Sequence, residues 1–343
     1  MKAMPIGRSA RYLGGGRVRI AAGCAAAALL LAGCSALGGS STSGSAAVGS
    51  SITVAAVPGV GDAPLYVALQ HGLFRQHGLT VHVRSYQTMA QVMDALHSGQ
   101  ANVAVGDYAD FFYKQEQDLS APMVVLADGY DAVPNIMNVL VRPDSRITTP
   151  QGLRGARIGT AAPQVMPEQL GLPYSMETVA ASSALDNDGV QPDQVQWVPM
   201  PATDLVAALH NHQVDAILVT EPQIFQAESE IGARTILDAC SGVTVNLPLD
   251  GYFAPKSFAE KNRAALLAFR SVMTHAQADS VQPAPLEAVL THYAEMSRQT
   301  ASLITVGQYP TALKVTSLQR VADLMSFYGA LTHPLAVSHM LLP

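Results

Sequence analysis

Residues 52–107 read ITVAAVPGVGDAPLYVALQHGLFRQHGLTVHVRSYQTMAQVMDALHSGQANVAVGD. Three short apolar runs stand in this stretch, Ile52 to Val57, Leu79 to Val83 and Val103 to Val105. Helical patterns separate them. Ala63 to Gln70 starts after a Gly-rich turn, and Met89 to Leu96 sets Met89, Val92, Met93 and Leu96 on one helical face. Strand, helix, strand, helix, strand is the grammar of a parallel α/β sheet. Turns at Gly59, Gly61 and Gly106 leave backbone amides free at helix starts, where small ligands commonly sit.

The segments HGLFRQHGLTV at 71–81 and ALHSGQANVAVGD at 95–107 resemble the first lobe of the periplasmic-type solute-binding proteins of ABC importers. The similarity is strongest to the branch that binds sulfonates, nitrate, taurine and thiamine-precursor pyrimidines. ALHNHQVDAILVTEP, from Ala208 to Pro222, is similar to the second-lobe counterpart, and GLRGARIGT at 152–160 to the opening of that lobe. The ending SLQRVADLMSFYGALTHPLAVSHML resembles the C-terminal helix and tail of the family. The resemblance runs from Ile52 to the C-terminus and implies a two-lobed periplasmic-binding-protein fold of type 2. Each lobe would be a mostly parallel sheet flanked by helices, an α/β arrangement crossed twice by the chain. It also implies a small-molecule ligand, and permease and ATPase subunits as partners.

The N-terminal segment carries a different signal. Lys2, Arg8, Arg11, Arg17 and Arg19 stand in residues 1–19 without an acid. Ile20 to Gly33 is a small-apolar run too short for a permanent span. A basic head and such a run make a secretory signal over residues 1–33. The run ends Leu31-Ala32-Gly33-Cys34, which looks like a lipobox, with cleavage before Cys34 and lipidation of that residue. Residues 35–51 are Gly, Ser, Ala, Thr and Val with Leu37 and no charge, a flexible coil that would act as a tether of about 20–25 Å. The expected location is the extracytoplasmic face of the cell membrane, held by the lipid.

Three cysteines are present, Cys24 in the signal, Cys34 and Cys240. Cys240 is left without a disulfide partner and reads as a buried small hydrophobe. Removing the five cations of the signal from a net charge of −6 leaves about −11. That excludes nucleic acid as a partner and electrostatic attraction to an anionic membrane. Of the histidines, His210 and His212, or His71 and His77, lie close in sequence, but none has a third ligand at metal spacing. The chain is read as a monomer without cofactor or metal.

Further along, the pattern predicts a helix over Tyr108 to Gln115 and strands over Met123 to Ala127 and Ile136 to Val141. Arg142-Pro143-Asp144-Ser145 is a turn-rich boundary, where the first lobe is expected to end. Residues 52–145 with 246–343 then form lobe one and 146–245 lobe two. Strands at Ala156 to Gly159, Val195 to Val198 and Ala216 to Val219 alternate with helices at Met176 to Leu185, Asp204 to Asn211 and Gln223 to Ile231. The return crossing is expected around Thr244 to Phe253. Helices over Phe258 to Ala278, Leu286 to Met296 and Leu318 to Tyr328 follow. Two crossings permit hinge closure over a ligand.

In open α/β sheets, ligands lie beyond the C-terminal ends of the strands. That rule selects Asp62, Gln87, Thr88, Asp107, Tyr108, Thr160, Gln164 and Glu221, with Tyr66 one turn further in and Asp110 and Thr203 beside them. None of them is Lys or Arg, which argues against a sulfonate or nitrate and for a neutral or cationic heteroaromatic such as a thiamine-precursor pyrimidine. Asp62 before Ala63-Pro64, and Asp107, also suit helix capping. Tyr66 and Tyr108 suit either stacking on a ligand or the core.

One fold relative is an enzyme that makes a thiamine pyrimidine. Resemblance to it would require a cysteine-rich iron-binding cluster and a cofactor-holding lysine, and neither is matched. The chain has no Gly-x-Ser-x-Gly elbow, P-loop or dinucleotide fingerprint. A binding protein rather than an enzyme is therefore expected.

Overall fold

The computed structural model describes residues 50–161, 175–294 and 296–342. Cys34, Gln164, the signal and nearly all of the tether lie outside the described residues. The quoted stretch folds as read. Strand β1 (Ser50–Ala56) leads into α1 (Ala63–Gln70) and a short α2 (Leu73–Gln76). Strand β2 (Leu79–Ser85), α3 (Met89–His97) and β3 (Val103–Asp107) follow. The two His-Gly pairs mark the breaks around α2, because Gly72 and Gly78 take φ of 67° and 71°, a region open to glycine. Thr88 caps α3, its side chain accepting from the Gln91 amide at 3.3 Å.

Helix α4 (Tyr108–Gln117), β4 (Met123–Asp131) and β5 (Met137–Val141) come next. The second array consists of β6 (Arg157–Ala161), α5 (Met176–Asn187), β7 (Gln196–Met200), α6 (Leu205–His210), β8 (Ala216–Thr220), α7 (Gln223–Ile231) and β9 (Arg234–Asp238). Ser175 and Thr178 close a capping box at the start of α5. The chain then returns through β10 (Pro248–Pro255) to α8 (Lys256–Lys261), α9 (Arg263–Asp279), α10 (Pro283–Tyr293), α11 (Arg298–Leu303) and α12 (Val315–Phe327).

Two five-stranded sheets result, ordered β2-β1-β3-β10-β4 and β7-β6-β8-β5-β9. This is the two-lobed α/β fold expected. Both sheets are mixed. In the first, β1 pairs in parallel with β2 and β3, while β10 is antiparallel to β3 and β4. In the second, β6 is parallel to β7 and β8, and β5 is antiparallel to β8 and β9. In each lobe the strand that enters from the other lobe, β5 or β10, runs against its neighbours.

The first lobe ends earlier than expected. Strand β5 belongs to the second sheet, so the chain crosses at 132–136 and not at the turn-rich 142–148. Apolar runs on either side of a crossing look alike in sequence, and only strand pairing assigns β5 to its lobe. Arg142 instead anchors within lobe two, donating to the Leu209 and Val214 carbonyls at 3.2 and 3.0 Å. The return crossing, 239–247, lies beside the first. The Ala132 amide donates to Leu247 O at 2.8 Å and the Asn246 amide to Ala132 O at 2.9 Å. Arg320 of α12 clamps the return crossing through the carbonyls of Val245 and Asn246, at 3.1 and 2.8 Å.

Apolar side chains of the first sheet, among them Ile52, Val54, Val103 and Leu126, are buried against Leu65, Phe74 and Phe269 of the helices. Cys240 is fully buried beside the second crossing, without a disulfide. Among the described residues no helix is long and apolar enough to cross a membrane.

Candidate functional site

The first-lobe edge that faces the second lobe is built by the ends of β1 and β3 and the start of β10. Two tyrosine hydroxyls hold the turn after β1: Tyr293 donates to Gly59 O at 2.5 Å, and Tyr309 donates to Val60 O at 2.8 Å. That turn carries Asp62 into α1. Asp62 is 5% exposed, and its side chain makes no cap hydrogen bond. The Asp62 Oδ2 oxygen has no hydrogen-bond partner. The expected capping role therefore fails, although Asp62 holds the N-cap position. A carboxylate oxygen left without a donor in the interior is costly. Burial, then the charge of Asp250, pushes Asp62 well above the ordinary aspartate range, against the pull of the Gly59 backbone amide.

Asp107 does cap. Its Oδ1 accepts from the Ala109 amide of α4 at 2.6 Å. Its Oδ2 reaches the other lobe and accepts from the Met176 amide, the first of α5, at 2.8 Å. Burial first, then the charges of Glu177, Asp110 and Asp250, push this carboxyl well up. Asp110, one turn along, is driven to about 7 by burial and by Glu177.

Glu221 makes the reciprocal tie. From lobe two it accepts from the Phe225 amide of its own helix α7 at 3.1 Å and from the Thr305 amide, beyond α11, at 3.2 Å. Both of its oxygens are committed to backbone, so it is a cap and an inter-lobe tie, in contrast to the free ligand contact expected. Burial nonetheless raises its pKa.

Tyr66 and Tyr108 separate. Tyr66 is half-buried and stacks on Tyr293, with ring centroids 3.7 Å apart and planes 8° apart. Tyr108 is fully buried, packed against Phe112 and edge-on to Phe253, and donates to Asp128 Oδ1 at 2.9 Å. It is a core residue and not a ligand-stacking one. A β-carbon on Gly251 would fall 2.4 Å from its hydroxyl, which shows how closely it lies under β10. Thr160 is buried in β6, in register with Pro199 and Leu218. Gln87 is exposed, and Thr88 is occupied as a cap. Trp197 is half-buried against the core.

Two residues missed by the sequence reading complete the edge. Asp250 of β10 stands in register with Asp107 of β3. Its carboxylate lies on the turn that carries Asp62, since a β-carbon at Gly61 would come within 2.6 Å of Asp250 Oδ2. Burial, then Glu177 and Asp110, push Asp250 up to about 7. Glu177 of α5 is the lobe-two member of the set. The strand-end rule misses Asp250 because it sits near the beginning of an antiparallel strand, which meets the same sheet edge as the ends of parallel ones.

Five acids, Asp62, Asp107, Asp110, Glu177 and Asp250, thus act on one another across the lobes. Among the described residues none of them forms an ion pair with Lys, Arg or His. Residues 162–174 add no Lys or Arg to the sequence. No group of three or more His, Cys, Asp or Glu among the described residues could hold a metal ion.

The sequence of residues 61–286 matches the NMT1/THI5-like family. The chain belongs to that family. Its fold is that of periplasmic binding proteins. The alkanesulfonate-binding protein SsuA from Xanthomonas axonopodis pv. citri, solved with MOPS bound, is 15% identical over 85% of this chain and 98% of its own, with a TM-score of 0.69. The periplasmic nitrate-binding protein NrtA from Synechocystis PCC 6803 is 13% identical over 84% of each chain, with a TM-score of 0.65. The desulfurization enzyme DSZB has the same fold, at 16% identity over 86% of this chain and 96% of its own, with a TM-score of 0.64. No curated protein matches the chain by sequence.

Proposed function

We propose that this NMT1/THI5-like protein is the extracytoplasmic solute-binding component of an ABC importer. It captures a small organic molecule between its lobes and delivers it to a membrane permease. The ligand is neutral or cationic, with a heteroaromatic of the thiamine-precursor pyrimidine type ahead of aliphatic sulfonates. One observation carries this reading: the facing edges of the lobes present acids and no base, and Asp107 already occupies the first amide of α5. An anion drawn to that helix N-terminus would have to displace a carboxylate of the chain itself. Like charges brought together in a cleft cost several kcal/mol.

Residues 1–51 support lipid anchoring through Cys34 after removal of residues 1–33, which places the protein on the outer face of the membrane. A sulfonate or nitrate ligand is the second reading, favoured by the kinship in fold with SsuA and NrtA. The fold also hosts an enzyme, DSZB. The absence from the sequence of a nucleophile elbow or cofactor fingerprint favours a binder here. Calorimetric titration with an aminopyrimidine, taurine, an alkanesulfonate and nitrate separates the readings. Saturable binding of the aminopyrimidine alone is the expected result. Micromolar binding of nitrate or a sulfonate, with none of the aminopyrimidine, would overturn the ligand assignment and leave transport standing.

A further inference from the structure

We infer that Asp62 and Asp250 form a recognition subsite for the N–H-bearing head of an organic cation, a primary ammonium or an amidinium, walled by Tyr66, Tyr130 and Tyr252. The inference rests on the reading of the inter-lobe cleft as a ligand site and names the part of the ligand it selects.

Asp62 is the first observation. It is 5% exposed, and its Oδ2 has no donor. This is not a loose side chain on a mobile turn. The Gly59 and Val60 carbonyls are held by Tyr293 and Tyr309, so the carboxylate is fixed with Oδ2 facing no donor. Tyr252 is a second and independent orphan. Its ring is fully buried, and its hydroxyl has no partner. The Asp62 and Asp250 charges both act on it. Tyr252 stands two residues after Asp250 in β10, in regular register with β3, so strand alternation puts both on one face and the two orphans belong to one locus.

Asp250 closes that locus. Its carboxylate lies against Gly61, with the Tyr130 Cβ on the same side of that glycine. Asp250 is half-buried, so the locus is reached from outside at this residue. Among the described residues the Asp250 carboxylate accepts no hydrogen bond. Asp110, Asp107 and Glu177 face it from α4, β3 and α5 and add only negative charge.

Two species could satisfy such a pair. A proton shared between the carboxyls would neutralise it from within. A bound cation would neutralise it from outside and gain from the tyrosine faces as well. A quaternary ammonium supplies charge but no N–H, so Asp62 Oδ2 and the Tyr252 hydroxyl would remain unpaired. A primary ammonium or an amidinium has donors for both, and hydrogen bonds to charged groups are the strong ones. A site built to hydrogen-bond such a group discriminates sharply against a ligand that lacks it.

The test is calorimetric titration of the full chain with 5-aminomethyl-4-aminopyrimidine, its trimethylammonium counterpart, benzamidine and an alkanesulfonate without an amine. Asp62→Asn and Asp250→Asn are titrated alongside, and the melting temperature of each ligand-free variant is recorded. The primary amine should bind saturably and the trimethylated form at least about tenfold more weakly. Each variant should weaken the amine by at least about tenfold, with the ligand-free melting temperature unchanged or raised. Equal binding of the trimethylated form would overturn the subsite. So would amine binding unmoved by either variant, and this result leaves the cleft's general preference for cations intact. A fall in melting temperature on Asp62→Asn, without loss of amine affinity, would mark a structural proton-sharing pair in place of a ligand site. Binding of the amine-free alkanesulfonate with silence from every N–H probe would overturn both this inference and the ligand assignment it rests on.

Discussion

Asp107 Oδ2 on the first lobe accepts a 2.8 Å hydrogen bond from the backbone amide of Met176 on the second. The same carboxylate caps α4 through Oδ1 at 2.6 Å. One side chain therefore starts a helix in its own lobe and ends against the first turn of a helix in the other. Asp107→Asn keeps a single carbonyl oxygen, which can accept from Ala109 or Met176 but not from both. Asparagine is as good an N-cap as aspartate, so α4 should survive and the inter-lobe bond should go. A larger radius of gyration than wild type by small-angle scattering, with unchanged circular dichroism, is the expected outcome. An unchanged radius would remove Asp107 as a tie between lobes.

Glu221 offers a contrast with Asp107. Because it satisfies the Phe225 and Thr305 amides, Glu221→Gln should lower the affinity for every ligand by a similar factor, whatever its charge. The Glu221–Thr305 bond joins lobe two to the segment after α11, so weakening it should disfavour the joined arrangement for every ligand alike. Parallel titrations with a cationic and a neutral pyrimidine check this. A loss confined to the cation, about tenfold or more, would return Glu221 to the ligand contacts.

Stability and binding should respond to pH in opposite directions. Asp110 and Asp250 titrate at about 7 in the folded chain, and Asp62 and Asp107 are raised as well. A carboxyl whose folded pKa lies above its unfolded value holds extra protons in the native state, so stability falls as pH rises from the unfolded value through the folded one. Glu116 and Asp215 are shifted downward and act with the opposite sign only at lower pH. The ligand-free melting temperature should therefore drop between about pH 5.5 and about pH 8. The same deprotonation charges the cleft, so affinity for a permanently charged amidinium should rise over that interval. A melting temperature that climbs with pH would contradict the placement of these acids.

Gly251 tests the core position of Tyr108. The β-carbon of an alanine would lie 2.4 Å from the Tyr108 hydroxyl and 2.5 Å from its ring. Overpacking of a buried site costs about 1–3 kcal/mol. Gly251→Ala should lower the urea midpoint accordingly, with ligand affinity per folded molecule retained. A neutral result would mean that Tyr108 has room to move and could still turn toward the cleft.

Cys34 carries the anchoring proposal. Wild-type protein should fractionate with membranes, and Cys34→Ala should release it. Wild-type protein recovered unmodified and soluble outside the cell would end the lipoprotein reading.

Much of the fold was legible because local patterns and global order agree in this chain. Ala63 to Gln70 and Gln223 to Ile231 end as helices where the apolar spacing and the flanking Gly and Pro place them. Strands β1, β2 and β3 lie on the three apolar runs, with ends shifted by up to two residues. Helix α9 begins afresh at Arg263, where Asn262 interrupts one predicted helix. Strand β9 and helix α11 were not foreseen, being short segments of five and six residues with weak periodicity.

By itself the sequence determined most of the strands and helices and the lack of bases at the predicted strand ends, since each is a property of local spacing and composition. The two-lobed class came from the resemblance of its motifs to a known family. Tertiary structure alone decided the partners. Pairing assigned β5 to the second lobe, because an apolar pentad carries no mark of the sheet it will join. The antiparallel course of β10 brought Asp250 beside Asp62 across nearly the whole first array, a contact that no spacing rule encodes. Burial then separated the acids into roles: both oxygens of Asp107 and of Glu221 found backbone donors, and Oδ2 of Asp62 found none. A carboxylate takes its function from the donors that the folded chain places around it, and that arrangement exists only once both lobes are formed.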